Sequence, residues 1–277
     1  MYIELVFYVM LLCHVLSDFY FQTDELAEEK EKSYKAVLFH SVLYSFGFAA
    51  VFCICCFHRD NSFWNNLPLV ILASVFHFII DSLKFVFKAI INEDNKGSLV
   101  SNLREKPIID KLCKYSKNHN ISGWILAIDQ IAHITTLLVT YYLCGTGICT
   151  NRFVSQEYEH LPYLPIIIIL GIFCLLKPVS IFIARTALWN QKGEKDDVQP
   201  ATIKTGKIIG YLERLVIFFL VIYNHIEVIG FVLAAKSLAR YKELEERKKA
   251  EYFLIGTLIS VVSVFAITML LGLCKVG

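Results

Sequence analysis

Residues 64–90 read WNNLPLVILASVFHFIIDSLKFVFKAI. From Leu67 to Phe87 the only charged side chains are Asp81 and Lys84. A helix needs about 20 predominantly apolar residues to cross the hydrocarbon core of a bilayer, so this stretch predicts a transmembrane helix. It also predicts an unusual one, because His77 and Asp81 fall well inside the apolar run, where ionisable groups are expensive.

Comparable runs lie on both sides, near 1–21, 35–57, 122–144 and 162–187. The stretch 207–240 is too long for one span and is interrupted at Asn224 and His225, so it reads as two short helices in a hairpin, and 251–273 closes the chain. The expectation is an all-α polytopic bundle of about eight membrane segments. Residues 1–145 form an N-terminal four-helix domain, and 162–277 form a C-terminal four-helix module. Composition agrees: 56% of the 277 residues are hydrophobic, which is too apolar for a soluble domain of this length. Net charge is only +2, and no overall field points to nucleic acid. The first run carries Glu4, has no Lys or Arg before it and lacks a small-residue cleavage pattern, and it reads as a retained helix. The nine cysteines are scattered, mostly inside apolar runs, without the short paired spacing of a thiolate zinc site.

Positive charge is retained on the cytoplasmic side of a membrane. The connections 22–35, 91–121, 186–207 and 241–249 hold seventeen Lys or Arg, and the other connections and the termini hold three. Both termini are therefore expected outside the cytoplasm. The segment 91–121 reads either as an amphipathic helix on the inner leaflet, a place for a membrane or cytoplasmic protein partner, or as a solvated linker.

Three segments carry a His and an Asp four residues apart: His14 and Asp18, His77 and Asp81, Asp129 and His133. Four residues is one helical turn, which sets each pair on one face with Cβ atoms about 5–6 Å apart. Gln22 extends the first stripe, Lys84 and Lys88 extend the second, and His40 is a fourth intramembrane histidine. The charge-derived orientation brings all seven His and Asp groups to the cytoplasmic half of the bilayer.

Four imidazoles and three carboxylates form a ligand set suited to one or two divalent ions, zinc first and manganese or iron as alternatives. The expected ligands are His14, Asp18, His40, His77, Asp81, Asp129 and His133. Gln22, Lys84 and Asp129 are the expected catalytic or substrate-orienting groups. The leading reading is an intramembrane metal-dependent hydrolase acting on a lipid or lipid-linked phosphate at the cytoplasmic leaflet. Two other classes use the same residues: a proton or metal-ion transporter, and a non-catalytic scaffold held by His–Asp clasps. Oligomeric state is open.

His58, His119 and His160 fall in predicted loops, and His225 marks the hairpin tip. Glu213 and Lys236, at similar depth on the two arms of the hairpin, are expected to form a salt bridge. Together with Lys177, Arg214 and Arg240, the lysine could alternatively form a cationic wall for phosphate.

The run LLCHVLSDFYFQTDELAEEK, followed by LFHSVLY, FHFIIDSLK and DQIAH, resembles a bacterial and phage membrane family catalogued as domain of unknown function 3307. The likeness covers about the first 145 residues. Its motif falls on His14, Asp18, Phe19, Gln22, His40, His77, Asp81, Lys84, Asp129, Gln130 and His133. The C-terminal segment from Gly206 is also similar to longer members. The resemblance implies a bacterial cytoplasmic-membrane protein, its fold and the position of its site, not a substrate. A looser similarity of residue types links the pattern to membrane-bound metal-dependent hydrolases.

Overall fold

The computed structural model describes residues 2–56, 62–91, 122–145, 163–187 and 200–273. The described residues are helical apart from short turns. Helix α1 (Tyr2–Val15) passes into a π-helical turn at Leu16–Tyr20, then come α2 (Asp24–Glu29), α3 (Tyr34–Cys56), α4 (Ser62–Ile91) and α5 (Ser122–Gly145). The second half contains α6 (Tyr163–Ala187), α7 (Pro200–Ile222), α8 (Ile226–Ala239), a 3-10 turn at Glu243–Glu245 and α9 (Arg247–Leu270).

Among the described residues, five stretches are long and apolar enough to cross a membrane: Tyr34–Ile54, Leu67–Ile90, Gly123–Cys144, Leu164–Thr186 and Lys249–Leu270. Val6–Tyr20 is a shorter apolar helix. Of the eight segments expected from the sequence, five meet this measure among the described residues. The 14 residues of α8 extend only about 21 Å at 1.5 Å per residue, short of a hydrocarbon core, and α7 carries Lys204, Lys207, Glu213 and Arg214. The segment 92–121, with its expected amphipathic helix, and His58, His119 and His160 lie outside the described residues.

The chain divides into two compact units, residues 1–166 and 167–277. In the first, α3 packs on α4, α4 on α5, and α1 on both α3 and α5. Polar side chains of this bundle turn inward while large aliphatic ones face out. On α5, Ile128, Ile131 and Ile134 are exposed, while Asp129, His133 and Thr140 are buried. In water that arrangement would be unstable, but lipid solvates large aliphatic side chains as well as a core does, and polar groups retreat inward.

The interior is graded along the helix axes. Val9, Met10, Phe48, Phe52, Leu69 and Leu137 belong to one buried apolar cluster. Each lies on the same side of the histidines: before His14 on α1, after Tyr44 on α3, before His77 on α4 and after His133 on α5. Toward the other end come Asp18, Gln22, Lys30, Asp81, Lys84 and Lys88.

Two local features shape that polar end. In the π turn the amide of Phe21 reaches back five residues to the carbonyl of Leu16, at 3.0 Å. Single π turns inside α-helices often occur at functional positions. The turn lies against Gly47 of α3, where an added Cβ would collide with the Phe21 ring and come within 2.9 Å of the Ser17 hydroxyl, so the close approach needs a residue without a side chain. Helix α2 then begins at Thr23, whose hydroxyl accepts the amide of Leu26 at 3.1 Å, with Asp24 and Glu25 favourably placed in its first turn. Burial of Leu26 fastens this short helix down.

In the second unit α7 packs on α8 and α9. Phe218 fits against Gly171 of α6, where a Cβ would come within 2.7 Å of the ring. The break between α7 and α8 falls at Asn224 and His225 as expected, with Asn224 at φ 60°, a conformation that asparagine tolerates better than most residues. Glu213 and Lys236 form the expected salt bridge across the hairpin, at 2.5 Å. Pro178 of α6 has no amide to offer the preceding turn. Nearby, Arg214 donates from Nε to the Leu175 carbonyl at 2.7 Å and from its terminal nitrogen to the Ser180 hydroxyl. The carbonyl that Pro178 leaves without its helical amide is that of Cys174, one residue before the carbonyl that Arg214 binds.

Candidate metal centre

Helix α1, the π turn, α3, α4 and α5 bring their imidazoles and carboxylates to one place. His14, His40, His77, His133, Asp18, Asp81 and Asp129 are all buried, none more than 6% exposed. His40 Nε2 and His77 Nε2 face each other at 3.2 Å. The same His40 nitrogen lies 3.2 Å from Asp18 Oδ1 and 3.5 Å from Asp81 Oδ2, and His77 Nε2 lies 3.6 Å from Asp81 Oδ2.

These spacings suit a metal ion. Four donors about 2.0–2.2 Å from a tetrahedral centre lie about 3.3–3.6 Å from one another. The geometry defines two overlapping ligand groups, Asp18–His40–His77 and His77–Asp81–His133, with the donor atoms of each group within 4.8 Å of one another. Asp81 joins them: Oδ2 faces His40 and His77, while Oδ1 lies 4.0 Å from His133 Nε2.

His133 has the orientation of a metal ligand. Its Nδ1 lies 2.8 Å from the Asp129 carbonyl, to which it donates, and this fixes the tautomer that leaves a lone pair on Nε2. That Nε2 is buried and has no hydrogen-bond partner among the described residues. A buried acceptor that points at a carboxylate without a donor between them fits the role of a metal ligand. His40 and His77 differ, since Nδ1 of each is also without a hydrogen bond. Packing holds their rings instead: Tyr44 stacks on His77 at 3.5 Å between centroids with planes 2° apart.

Two expected ligands take other positions. His14 has both nitrogens engaged, Nδ1 with the Tyr44 hydroxyl at 3.1 Å and Nε2 with Gln130 Oε1 at 3.3 Å, and its ring stacks on His133 at 5.2 Å. It therefore braces the site from behind. Asp129 binds Lys84 at 2.6 Å through Oδ2, and its carboxylate lies 3.9 Å from the His133 ring. Gln22 turns back on its own helix and donates to the main-chain carbonyl of Asp18.

Three further residues complete the centre. Tyr44 carries a readable signal, because it follows His40 by one turn. Gln130 sits beside Asp129 and donates to Asp18 Oδ2 at 3.1 Å while accepting from His14. Lys30, just past α2, lies 3.4 Å from Asp81 Oδ2 and 3.7 Å from Asp18 Oδ1. No helical periodicity announces it, since it arrives by chain reversal.

Fold and site together define a polytopic helical membrane protein with a buried His/Asp centre able to hold a metal ion. The family described as protein of unknown function (DUF3307) matches residues 6–161, more than half of the chain, and the protein belongs to that family. Comparison with curated proteins and with solved structures finds no match. The family match contains every residue of the centre named above.

Proposed function

We propose that the first unit is an intramembrane metal-dependent hydrolase whose substrate is a lipid or lipid-linked phosphate presented at the cytoplasmic leaflet. The observation that carries this reading is the one-sided environment of the ligands. An apolar cluster of α1, α3, α4 and α5 closes one end, and Lys30, Lys84 and Gln22 lie at the other. A centre with one polar end suits chemistry on a headgroup. A transporter needs a polar route on both sides, and Phe48, Phe52 and Leu69 block one of them.

His40, His77, Asp18 and Asp81 would hold the ion, with His133 completing the set or, together with Asp81, receiving a second ion. Zinc suits these donors best, with manganese or iron as alternatives. A bound ion supplies Lewis acidity, which polarises a phosphoryl oxygen and makes water nucleophilic near neutral pH. The protein's own groups do the rest. His133 is held in one tautomer, Gln130 keeps Asp18 oriented, and the apolar cluster excludes water from behind. Lys84, paired with Asp129, ties α4 to α5 at the same polar end. The lysine-rich connections argue that this end faces the cytoplasm.

The test is elemental analysis of the purified full-length protein, followed by phosphate release from a panel of phospholipids and polyprenyl phosphates. Near-stoichiometric metal, and turnover abolished by chelation and restored by the ion, is the expected result. Protein free of metal after purification and after incubation with zinc, manganese and iron would sink the proposal.

A further inference from the structure

Lys30 shares its two carboxylate oxygens with the metal-ligand set. Asp81 Oδ2 and Asp18 Oδ1, at 3.4 and 3.7 Å from its ammonium, are the atoms that face His40 Nε2 at 3.5 and 3.2 Å. We infer that Lys30 is an internal cation that competes with the divalent ion for Asp18 and Asp81 and, once displaced, pairs with the phosphate group of the substrate. This inference rests on the metal-centre reading above and assigns a role to a residue outside the ligand set.

Charge balance gives the argument its direction. Asp129 is already neutralised by Lys84 at 2.6 Å, which leaves Asp18, Asp81 and Lys30 with a net charge of minus one. A divalent ion changes that sum to plus one, and the same site that repelled an anion now attracts one. The excess positive charge then sits on a flexible side chain at the polar end of the centre.

The surroundings of Lys30 suit a moving side chain on a fixed base. Before it, α2 is capped by Thr23 and anchored by buried Leu26, and after it Glu31 is tied to Lys88 at 2.5 Å. The backbone is therefore held on both sides, and the four-carbon stem of the lysine can carry its charge from the carboxylates to an incoming anion. A phosphoryl group is the anion that a divalent ion and an ammonium jointly recognise, whether it is free or part of a lipid headgroup.

The experiment titrates zinc, by competition with a chromophoric chelator, into the full-length protein in phosphatidylcholine nanodiscs. Wild type is compared with Lys30→Met, which keeps bulk and loses charge, and Lys30→Arg, which keeps charge. Zinc affinity should rise at least about tenfold in Lys30→Met, the order expected when a like charge beside a bound cation is removed, and stay near wild type in Lys30→Arg. Inorganic phosphate, or phosphatidic acid in the disc, should tighten zinc binding in wild type, and the effect should vanish in Lys30→Met, because coupling between two bound species is reciprocal.

A response to both probes assigns recognition to the phosphoryl group itself, and a response to phosphatidic acid alone assigns it to a headgroup in the bilayer. Unchanged or weaker zinc binding in Lys30→Met overturns the competition while leaving the metal centre standing. Coupling by neither probe overturns the anion role. Failure of wild type to bind zinc removes the metal reading and this inference together. Should Lys30→Met not fold, Lys30→Gln, which retains a donor without the charge, takes its place.

Discussion

His40 and His77 meet nitrogen to nitrogen, 3.2 Å apart, between two carboxylates and out of reach of solvent. Two neutral imidazoles so placed can share one proton or enclose one cation. Asp18 and Asp81 at the same junction favour the cation. Metal content should consequently depend on His77, which belongs to both ligand groups, more than on His133, which belongs to one. His77→Ala is expected to lower zinc affinity more than about 100-fold, beyond the 10–100-fold typical of losing a residue that only orients a ligand. Equal metal content in wild type and His77→Ala, measured by elemental analysis after dialysis against a weak chelator, would contradict this.

Lys84 and Asp129 supply a second test, through stability. Their 2.6 Å pair joins α4 to α5, with the Asp129 side chain nearly inaccessible. Lys84→Met should strand that carboxylate and cost about 1.5–3 kcal/mol, the range for a hydrogen bond between charged groups. Replacing both, as Lys84→Met with Asp129→Leu, should recover much of the loss, because removing both charges also removes the cost of burying them. Thermal unfolding of the two singles and the double closes the cycle. Additive losses would mean that the pair contributes nothing as a pair.

Tyr44 separates hydrogen bonding from stacking. Tyr44→Phe removes the hydroxyl that meets His14 at 3.1 Å but keeps a ring over His77. It should cost about 1–2 kcal/mol of stability, for an imidazole nitrogen left buried without its partner, and change zinc affinity less than threefold. Tyr44→Ala removes both supports and should weaken zinc binding about tenfold or more, since the His77 ring then has no fixed plane. If the two variants bound zinc equally well, stacking would have no part in holding the ligand.

In the second unit, Arg214 donates to α6 at two points beside Pro178. Arg214→Lys should fail to rescue what Arg214→Met loses, because one ammonium cannot reproduce a planar fork with two separated donors. Melting temperature and protease resistance of the full chain measure this. Full stability in Arg214→Lys would show that charge alone is needed there.

The membrane character of the chain was legible from apolar run length, and the one-turn spacing of His and Asp marked α4 and α5 correctly. Periodicity says which face a residue occupies but not which atom it presents. Asp129 and His133 do share a face, yet the imidazole Nδ1 lies 2.8 Å from the main-chain carbonyl of Asp129 and 3.9 Å from its carboxylate. His14 and Asp18 were read on a regular α-helix, whereas the π turn begins at Leu16, between them, and sends Asp18 to His40 and Lys30 while His14 meets Tyr44. Lys30 looked like one more basic residue of a connection because its neighbours in space are 12 and 51 positions away in the chain. The hairpin break at Asn224 was visible as a polar interruption, and the two short arms expected around it include the 14-residue α8.

A π turn contains one residue more than the regular helix it interrupts, so deleting a single position between Leu16 and Tyr20 would yield a smoother and locally easier backbone. The chain nonetheless keeps the surplus residue, together with a bare Gly47 opposite to make room for it. Shortening the turn by one residue would therefore turn the first carboxylate away from His40, Gln130 and Lys30, a defect that a metal probe reads as lost zinc and a melting curve as lost stability.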